Sequence, residues 1–244
     1  LDAKETLKAQ EMLKETEFGS QKKNFTSIAE KKHNYGKLTI ALKDIHALND
    51  LGQPALKGVS LDIHAGEILG MAGVSGNGQP ELADVLSGMR NPNQGSYQFE
   101  DTSLEKPKVN EMIERGVGYI PEDRKRFGIS SGMSIAYNFL LRDFRNPNFS
   151  SKQLLSLKSI FEYGSSKMKE FDIRAPSEKT PVGLLSGGNM QKVILAREIS
   201  RPLKLLLASQ PTRGLDIHAT SFIRKQICQA RDKGLAVLWI SEDL

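Results

Sequence analysis

The pattern of hydrophobic and polar positions predicts a mixed α/β domain. Short alternating or apolar stretches with strand character lie at 38–42, 59–63, 67–72, 203–208 and 236–240. The last two are continuous apolar runs, typical of strands that are buried on both faces of a parallel sheet. A helical pattern over 219–232 supplies the crossover between them. Helical patterns over 134–141 and 152–171 predict an inserted helical subdomain.

Residues 1–36 differ from the rest of the chain, because they are rich in Lys, Glu and Gln and carry only a weak apolar face. This pattern predicts a helical or partly disordered linker. The chain has no initiator Met and stops just after a strand. We therefore expect a fragment of a longer protein, with a processed mature protein as the alternative.

The amino-acid composition limits the class of protein to which the chain can belong. Of the 244 residues, 39% are hydrophobic and 26% are charged, which excludes a wholly disordered, collagenous or membrane-spanning chain. A net charge of +5 is compatible with nucleic acid, phosphate ligands or an anionic membrane surface and requires none of them. The single cysteine, Cys228, favours a reducing compartment.

A glycine-rich loop joins the strand at 67–72 to a helical pattern, which is the arrangement of a phosphate-binding loop. Gly73 and Gly78 match the pattern, whereas Gln79 and Pro80 stand where Lys and Ser/Thr are needed. Taken alone, the loop fits a tight strand-to-helix turn equally well. The candidate nucleotide-binding residues are Gly73, Val74, Ser75, Gly76, Asn77, Gly78, Gln79, Pro80 and Glu81.

A second motif precedes another helical pattern, and it consists of Leu185, Ser186, Gly187, Gly188, Asn189, Met190 and Gln191. Ser186 can cap that helix, and the two glycines allow an anion to approach its N-terminus. A plain helix cap is the alternative interpretation. The motif resembles the signature sequence of ATP-binding cassette (ABC) proteins.

Five further positions stand where this family has its other motifs. Glu122 lies at the Q-loop position, and Asp216 lies in a segment similar to the D-loop. Ser209 and Gln210 follow an apolar strand, at the positions of the Walker B carboxylate and the general base, and Glu242 lies at the switch-histidine position. The amino-acid sequences of these motifs resemble those in the second cassette of fused two-cassette subunits, which belong to importers for simple sugars and nucleosides.

The resemblance implies an α/β P-loop NTPase fold with a mostly parallel core sheet, an antiparallel β portion and a helical signature subdomain at about 123–200. It makes 1–36 an inter-cassette linker and 37–244 a cassette that is truncated at its C-terminus. It further implies ATP and Mg²⁺, mainly at a site completed with a partner. The implied partners are a first cassette, transmembrane permease subunits and, indirectly, a solute-binding protein. The implied location is peripheral, on the cytoplasmic face of the cell membrane, and no nucleic acid is expected.

The departures from the family pattern fall on groups that bind phosphate, hold metal or move protons: Gln79, Pro80, Glu122, Ser209, Gln210 and Glu242. We therefore expect this cassette's own Walker site to hydrolyse ATP poorly, so its status as an enzyme stays open. The intact signature would complete the ATP site of a partner cassette. The alternatives are a self-sufficient ATPase and a non-transport module that binds nucleotide or nucleic acid.

Overall fold

The computed structural model describes residues 35–73, 76–144, 146–151 and 154–242. The predicted linker therefore lies almost wholly outside the described residues, and its boundary stays a prediction. The described chain forms two compact units. The first comprises residues up to Val117, Lys204–Gln210 and the chain from Ala230 onward, and the second comprises Gly118–Leu203 and Pro211–Gln229.

Ten strands are present in the described residues. They are β1 (Leu38–Leu48), β2 (Pro54–His64), β3 (Ile68–Ala72), β4 (Gln94–Phe99), β5 (Thr102–Leu104), β6 (Val117–Ile120), β7 (Ser150–Ser151), β8 (Leu154–Leu155), β9 (Leu205–Ser209) and β10 (Ala236–Ser241). Six α-helices accompany them in the same part of the chain. They are α1 (Gln79–Ser87), α2 (Val109–Glu114), α3 (Ile135–Leu140), α4 (Leu157–Glu170), α5 (Gly187–Ile199) and α6 (Ile217–Asp232). A π-helical turn (Arg124–Gly128) and a 3₁₀ turn (Val182–Leu184) complete the set.

The first unit contains an antiparallel sheet with the strand order β2-β1-β4-β5. Its inner face buries Ile40, Ile45, Tyr97 and Phe99. The Tyr97 hydroxyl donates a 2.9 Å hydrogen bond to the carbonyl of Leu86 at the end of α1. Burial raises the pKa of Tyr97, so the phenol stays protonated as a structural donor.

A second sheet in the first unit contains β3, β10 and β9 in that order. Strand β10 pairs in parallel with both β3 and β9. Every residue of β9 is buried, as are Val237 and Leu238 of β10. The prediction of strands buried on both faces of a parallel sheet is confirmed, and so is the α/β fold class with an antiparallel portion.

The second unit is largely helical. Ala136, Leu140, Phe149 and Ile160 form a core cluster, and the ring of Tyr163 packs edge-on against Phe149 at 4.9 Å between centroids. Helix α5 is buried from Met190 to Glu198, including three charged residues, Lys192, Arg197 and Glu198. Arg197 and Glu198 form an ion pair at 2.9 Å between Nε and Oε1.

Three sequence predictions of element bounds were wrong. The strand predicted over 59–63 already begins at Pro54, which pairs with Leu48 of β1. The helix predicted over 152–171 begins only at Leu157, because Ser156 caps it and the preceding residues form the β7–β8 hairpin. The strand predicted over 38–42 continues to Leu48, because the pairing register shifts between Leu42 and Ile45 and the strand resumes. Asp44, within that irregularity, has a positive φ of 53°.

Candidate nucleotide-binding site

The glycine-rich loop ends in a left-handed turn that starts α1. Gly78 is the N-cap residue, with φ 92° and ψ 5°, a conformation that glycine adopts without strain. A Cβ at Gly78 would lie 2.8 Å from the carbonyl oxygen of Ala55 on β2, so the close packing also requires glycine. Pro80 lies in the first turn of α1, as predicted. Two of the predicted binding residues, Val74 and Ser75, lie outside the described residues.

The side chain of Gln79 folds back into this loop. Its Oε1 accepts a hydrogen bond from the backbone N–H of Asn77 at 3.2 Å. Its Nε2 would be only 2.5 Å from a Cβ built on Gly73. A phosphate-binding loop directs such N–H groups at its anion. Here a neutral amide takes one of them, and Glu81 adds an acidic residue to the first turn of the helix.

The ends of the core strands carry the other predicted positions. Ser209, the last residue of β9, is 7% exposed, and its Oγ is buried without a hydrogen-bond partner. Gln210 follows with a φ of 50°, and its N–H donates to the carbonyl of Ile240 at 2.8 Å. Glu242 is exposed just after β10.

These residues do not fit a Mg²⁺ ion. Proteins usually hold this ion through one or two carboxylates, with phosphate oxygens and waters completing an octahedral set. Here Pro80 has no oxygen in its side chain, and the end of β9 offers only a neutral hydroxyl and a neutral amide. No group of three or more His, Cys, Asp or Glu side chains that could hold a metal occurs in the described part of the chain. The weakness of the first unit's metal site stays a prediction.

The signature motif begins helix α5 in the second unit. Ser186 is the N-cap, and its Oγ accepts the N–H of Asn189 at 3.4 Å, so the predicted cap is confirmed. The Asn189 side chain is used twice, because Nδ2 donates to Ser186 Oγ and Oδ1 accepts the N–H of Arg174 at 2.9 Å. Ser186 itself remains exposed at the helix N-terminus.

A polar cleft of about 620 Å³ opens beside this helix N-terminus. Its lining combines signature residues with ionisable side chains of both signs: Ser186, Gly188, Asn189, Arg174, Lys192, His218, Asp172 and Asp216. Lys192 is held in place by a 2.8 Å ion pair with Asp172 and lies 4.6 Å above the ring of Phe222. The hydrogen bond from Lys192 lowers the pKa of Asp172. An anion would meet the partial positive charge of the helix end in this cleft.

The D-loop candidate, Asp216, caps helix α6. Its Oδ1 accepts the N–H of Ala219 at 2.8 Å. This bond, with a weaker contribution from His218, lowers the pKa of the Asp216 carboxyl. A Cβ at Gly188 would lie 3.0 Å from Ala219 Cβ and 3.6 Å from Asp216 Oδ2, so the signature helix packs closely on the first turn of α6.

Sequence reasoning missed two arginines next to the signature. The half-buried guanidinium of Arg124 donates a hydrogen bond to the carbonyl of Gly187 at 3.2 Å. It also donates to the carbonyl of Arg213. Arg213 in turn forms an ion pair with Glu122, the Q-loop candidate. Burial lowers the pKa of Arg124.

Comparison with known proteins agrees with this geometry. A family model described as "ABC transporter" matches residues 56–213, which include the glycine-rich loop, the signature and the end of β9. The chain belongs to the ABC transporter ATP-binding family. Within the described residues, none of the helices is both long and apolar enough to cross a membrane.

Curated relatives share the family. The chain is 41% identical over 207 residues to the nucleoside import ATP-binding protein NupA of Lactococcus lactis, covering 85% of this chain and 41% of that protein. It is 40% identical over 211 residues to the glucose import ATP-binding protein TsgD13 of Haloferax volcanii, covering 86% and 38%. It is 37% identical to the guanosine import ATP-binding protein NupO of Bacillus subtilis, covering 86% and 41%. The chain thus spans less than half the length of each of these proteins.

Solved structures of similar fold are also cassettes. The dimeric structure of MJ0796, a bacterial ABC transporter cassette, superposes with a TM-score of 0.70 at 22% identity, over 84% of this chain and 88% of that one. The ADP conformation of MJ1267, an ATP-binding cassette of an ABC transporter, gives 0.68 at 19% identity, over 85% and 82%. At such identities the likeness is one of fold.

Proposed function

We propose that this chain is the second, degenerate cassette of a fused two-cassette ATP-binding subunit in an importer for simple sugars or nucleosides. Its own Walker site binds nucleotide weakly at most and hydrolyses it poorly. Its signature motif completes the ATP site of a partner cassette. Closure of that shared site is passed to transmembrane permease subunits on the cytoplasmic face of the membrane.

The observation that carries the proposal is the environment of Ser209. At the position of the Walker B carboxylate stands a hydroxyl that is buried and has no hydrogen-bond partner. A carboxylate at this position would bind Mg²⁺ and offset its charge. A serine hydroxyl is neutral, so the ion would lack its strongest oxygen ligand there. The adjoining Gln210 carries an amide, which cannot take a proton from an attacking water.

The signature motif, by contrast, keeps the family pattern at Leu185, Ser186, Gly187 and Gly188. Ser186 is exposed at a capped, thirteen-residue helix, beside a cleft lined by side chains of both charges, Arg174 and Lys192 among them. Catalysis of phosphoryl transfer depends mainly on positioning and on electrostatic stabilisation. A rigid helix N-terminus supplies both to a phosphate presented by another cassette.

The names of the relatives support the transport class. They are ATP-binding proteins for import of nucleosides, glucose and guanosine. Their greater length leaves room for another cassette of this size, and the structurally similar MJ0796 cassette is dimeric. ATP and Mg²⁺ would be bound mainly at the site that the partner's Walker loop and this signature share.

The test is a comparison of two substitutions in the full-length protein that carries this chain. Ser186→Arg should abolish ATP hydrolysis, because it fills the helix N-terminus where the partner's phosphate would lie. Gln79→Ala should change the rate by less than about twofold, since the loop it alters contributes little to turnover. Equal losses in the two variants would overturn the proposal.

A matched control separates the loss of a helix cap from the loss of a phosphate site. Ser156 caps α4 in the same way, with its Oγ accepting the N–H of Ser159 at 3.4 Å. Ser156→Arg should therefore cost similar thermal stability and leave ATP hydrolysis intact. If the control loses activity to the same extent, the effect at Ser186 is one of folding and the proposal fails.

A further inference from the structure

Residues 122–124 form hydrogen bonds to two other segments of the second unit. One is the signature helix, α5, and the other is the turn at 211–214, which we call the D-loop turn. One guanidinium nitrogen of Arg124, Nη1, donates a hydrogen bond to the carbonyl of Gly187, the first residue of α5, at 3.2 Å. The other, Nη2, donates a hydrogen bond to the carbonyl of Arg213. One half-buried cation therefore joins two backbone segments that lie far apart in sequence.

The glycine at the first of these contacts leaves room for this guanidinium. A Cβ at Gly187 would lie 3.2 Å from Arg124 Nη1. Gly214, in the D-loop turn, has a φ of 64°, and its Cβ would lie 3.8 Å from Arg124 Nη2. The loop that carries Arg124 is itself fixed, because Asp123 accepts the N–H groups of the next two residues after Arg124 at 3.1 and 3.0 Å.

Glu122 adds a second bond to the same turn, since its Oε1 accepts from the guanidinium of Arg213. The side chains of this pair are 40% and 52% exposed, so its electrostatic strength is modest. Its value is geometric, because it orients the residue whose carbonyl Arg124 binds. A third bond, from Gln191 Nε2 to the carbonyl of Pro211 at 2.8 Å, is buried and ties the turn to α5.

We propose that Arg124 and the Glu122–Arg213 pair act as positioning residues that hold the D-loop turn and the signature helix in one fixed arrangement for the partner cassette's ATP. We call these three residues the polar clamp. This inference rests on the proposed function, because it assigns the clamp a role only if the signature serves a partner's site. The Q-loop glutamine of the family pattern is here exchanged for a glutamate with an arginine partner.

The test is a charge-reversal cycle in the full-length protein, with kcat, KM for ATP and melting temperature measured for each variant. Glu122→Arg and Arg213→Glu each bring two like charges together at the clamp. We expect kcat to fall about tenfold or more, with KM nearly unchanged, because a displaced signature is felt in the transition state. The double variant restores opposite charges and should recover most of the lost kcat.

Arg124→Lys tests the forked geometry. A lysine keeps the charge, but its compact ammonium does not reproduce the planar fork that reaches both carbonyls. We expect kcat to fall again with little change in melting temperature. Lys225→Glu, an exposed reversal of the same size on α6, should leave all three quantities unchanged.

Two results would overturn the inference. One is unchanged kcat in the single reversals and in Arg124→Lys. The other is a double variant that regains melting temperature without regaining kcat, which would make the clamp purely structural. Ser186→Arg, measured in parallel, separates this failure from that of the proposed function. If Ser186→Arg abolishes ATP turnover and the clamp variants do not lower it, only the role assigned to the clamp is wrong. If the Ser186→Arg protein stays active, both the proposed function and the role of the clamp are wrong.

Discussion

The side-chain amide of Gln79 accepts a hydrogen bond from the backbone N–H of Asn77 at 3.2 Å. Its other end, Nε2, occupies the space beside Gly73 that a Cβ would need. The glycine-rich loop therefore satisfies one of its own donors with a neutral group. An incoming phosphate must displace this amide and gains no positive charge in return.

The first prediction is that Gln79→Lys increases the affinity of the chain's own loop for ATP. A charge-assisted bond to phosphate contributes about 1.5–3 kcal/mol, which corresponds to roughly 10–100-fold in affinity. The measurement is a titration with a fluorescent ATP analogue without Mg²⁺, because the metal ligands are absent. Gln79→Met is the control, since it removes the amide and adds no charge. Equal affinities for the Lys and Met variants would show that charge is not what the loop lacks.

The second prediction concerns stability at the end of β9. Ser209→Ala should raise the free energy of unfolding by about 1 kcal/mol, because a buried hydroxyl without a partner carries a desolvation cost that alanine avoids. Urea denaturation followed by circular dichroism measures the change.

Ser87 provides the matched control for Ser209. It is also buried, at 8% exposure, but its Oγ donates to the carbonyl of Asp84 at 3.2 Å. Ser87→Ala should therefore lower stability or leave it unchanged. If Ser209→Ala destabilises the protein as much as Ser87→Ala does, the Ser209 hydroxyl has a partner after all.

Much of the fold could be predicted from the sequence because the pattern of apolar positions indicates which residues are buried. The run Leu205–Ser209 is buried at every position, as expected for a short apolar run that forms a strand covered on both faces of a parallel sheet. The start of α1 was equally predictable, since a left-handed glycine followed closely by a proline marks a helix N-terminus. The Ser186 cap was found for a similar local reason.

The parts that escaped prediction depend on contacts between distant residues. Strand β1 passes through its irregularity at Asp44 because Ser60 of the neighbouring strand accepts the Asp44 N–H at 2.9 Å. Arg124 and Arg213 are 89 residues apart, so no local pattern shows that one binds the carbonyl of the other. Gln79 was recognised as a missing lysine, but its fold-back onto Asn77 follows only from the loop's three-dimensional course.

The third prediction is that Gly188→Ala disturbs the packing of the signature helix on α6. The new methyl group would lie 3.0 Å from Ala219 Cβ, closer than two carbons pack, so one backbone must move. We expect a lower melting temperature and a loss of ATP hydrolysis in the full-length protein.

The double variant Gly188→Ala with Ala219→Gly separates steric crowding from other causes. It removes the opposing methyl group and should recover much of the melting temperature. If the melting temperature recovers and hydrolysis does not, Gly188 is needed by the nucleotide as well as by the packing. A Gly188→Ala protein with unchanged melting temperature would contradict the packing argument.

The fourth prediction is a pH dependence of stability that originates at Asp216. The N–H of Ala219 lowers the pKa of this carboxyl below its ordinary 3.8. A lowered folded-state pKa means that the stabilisation is fully present above 3.8 and is lost as the pH falls through the folded-state value.

Asp216→Asn keeps an N-cap acceptor without a charge. The melting temperature of the parent protein should therefore exceed that of Asp216→Asn at pH 6, and the difference should vanish in strong acid. Asp101→Asn, at an exposed turn residue, should show no such convergence. A constant difference between Asp216→Asn and the parent across this range would mean that the carboxylate charge does not stabilise α6.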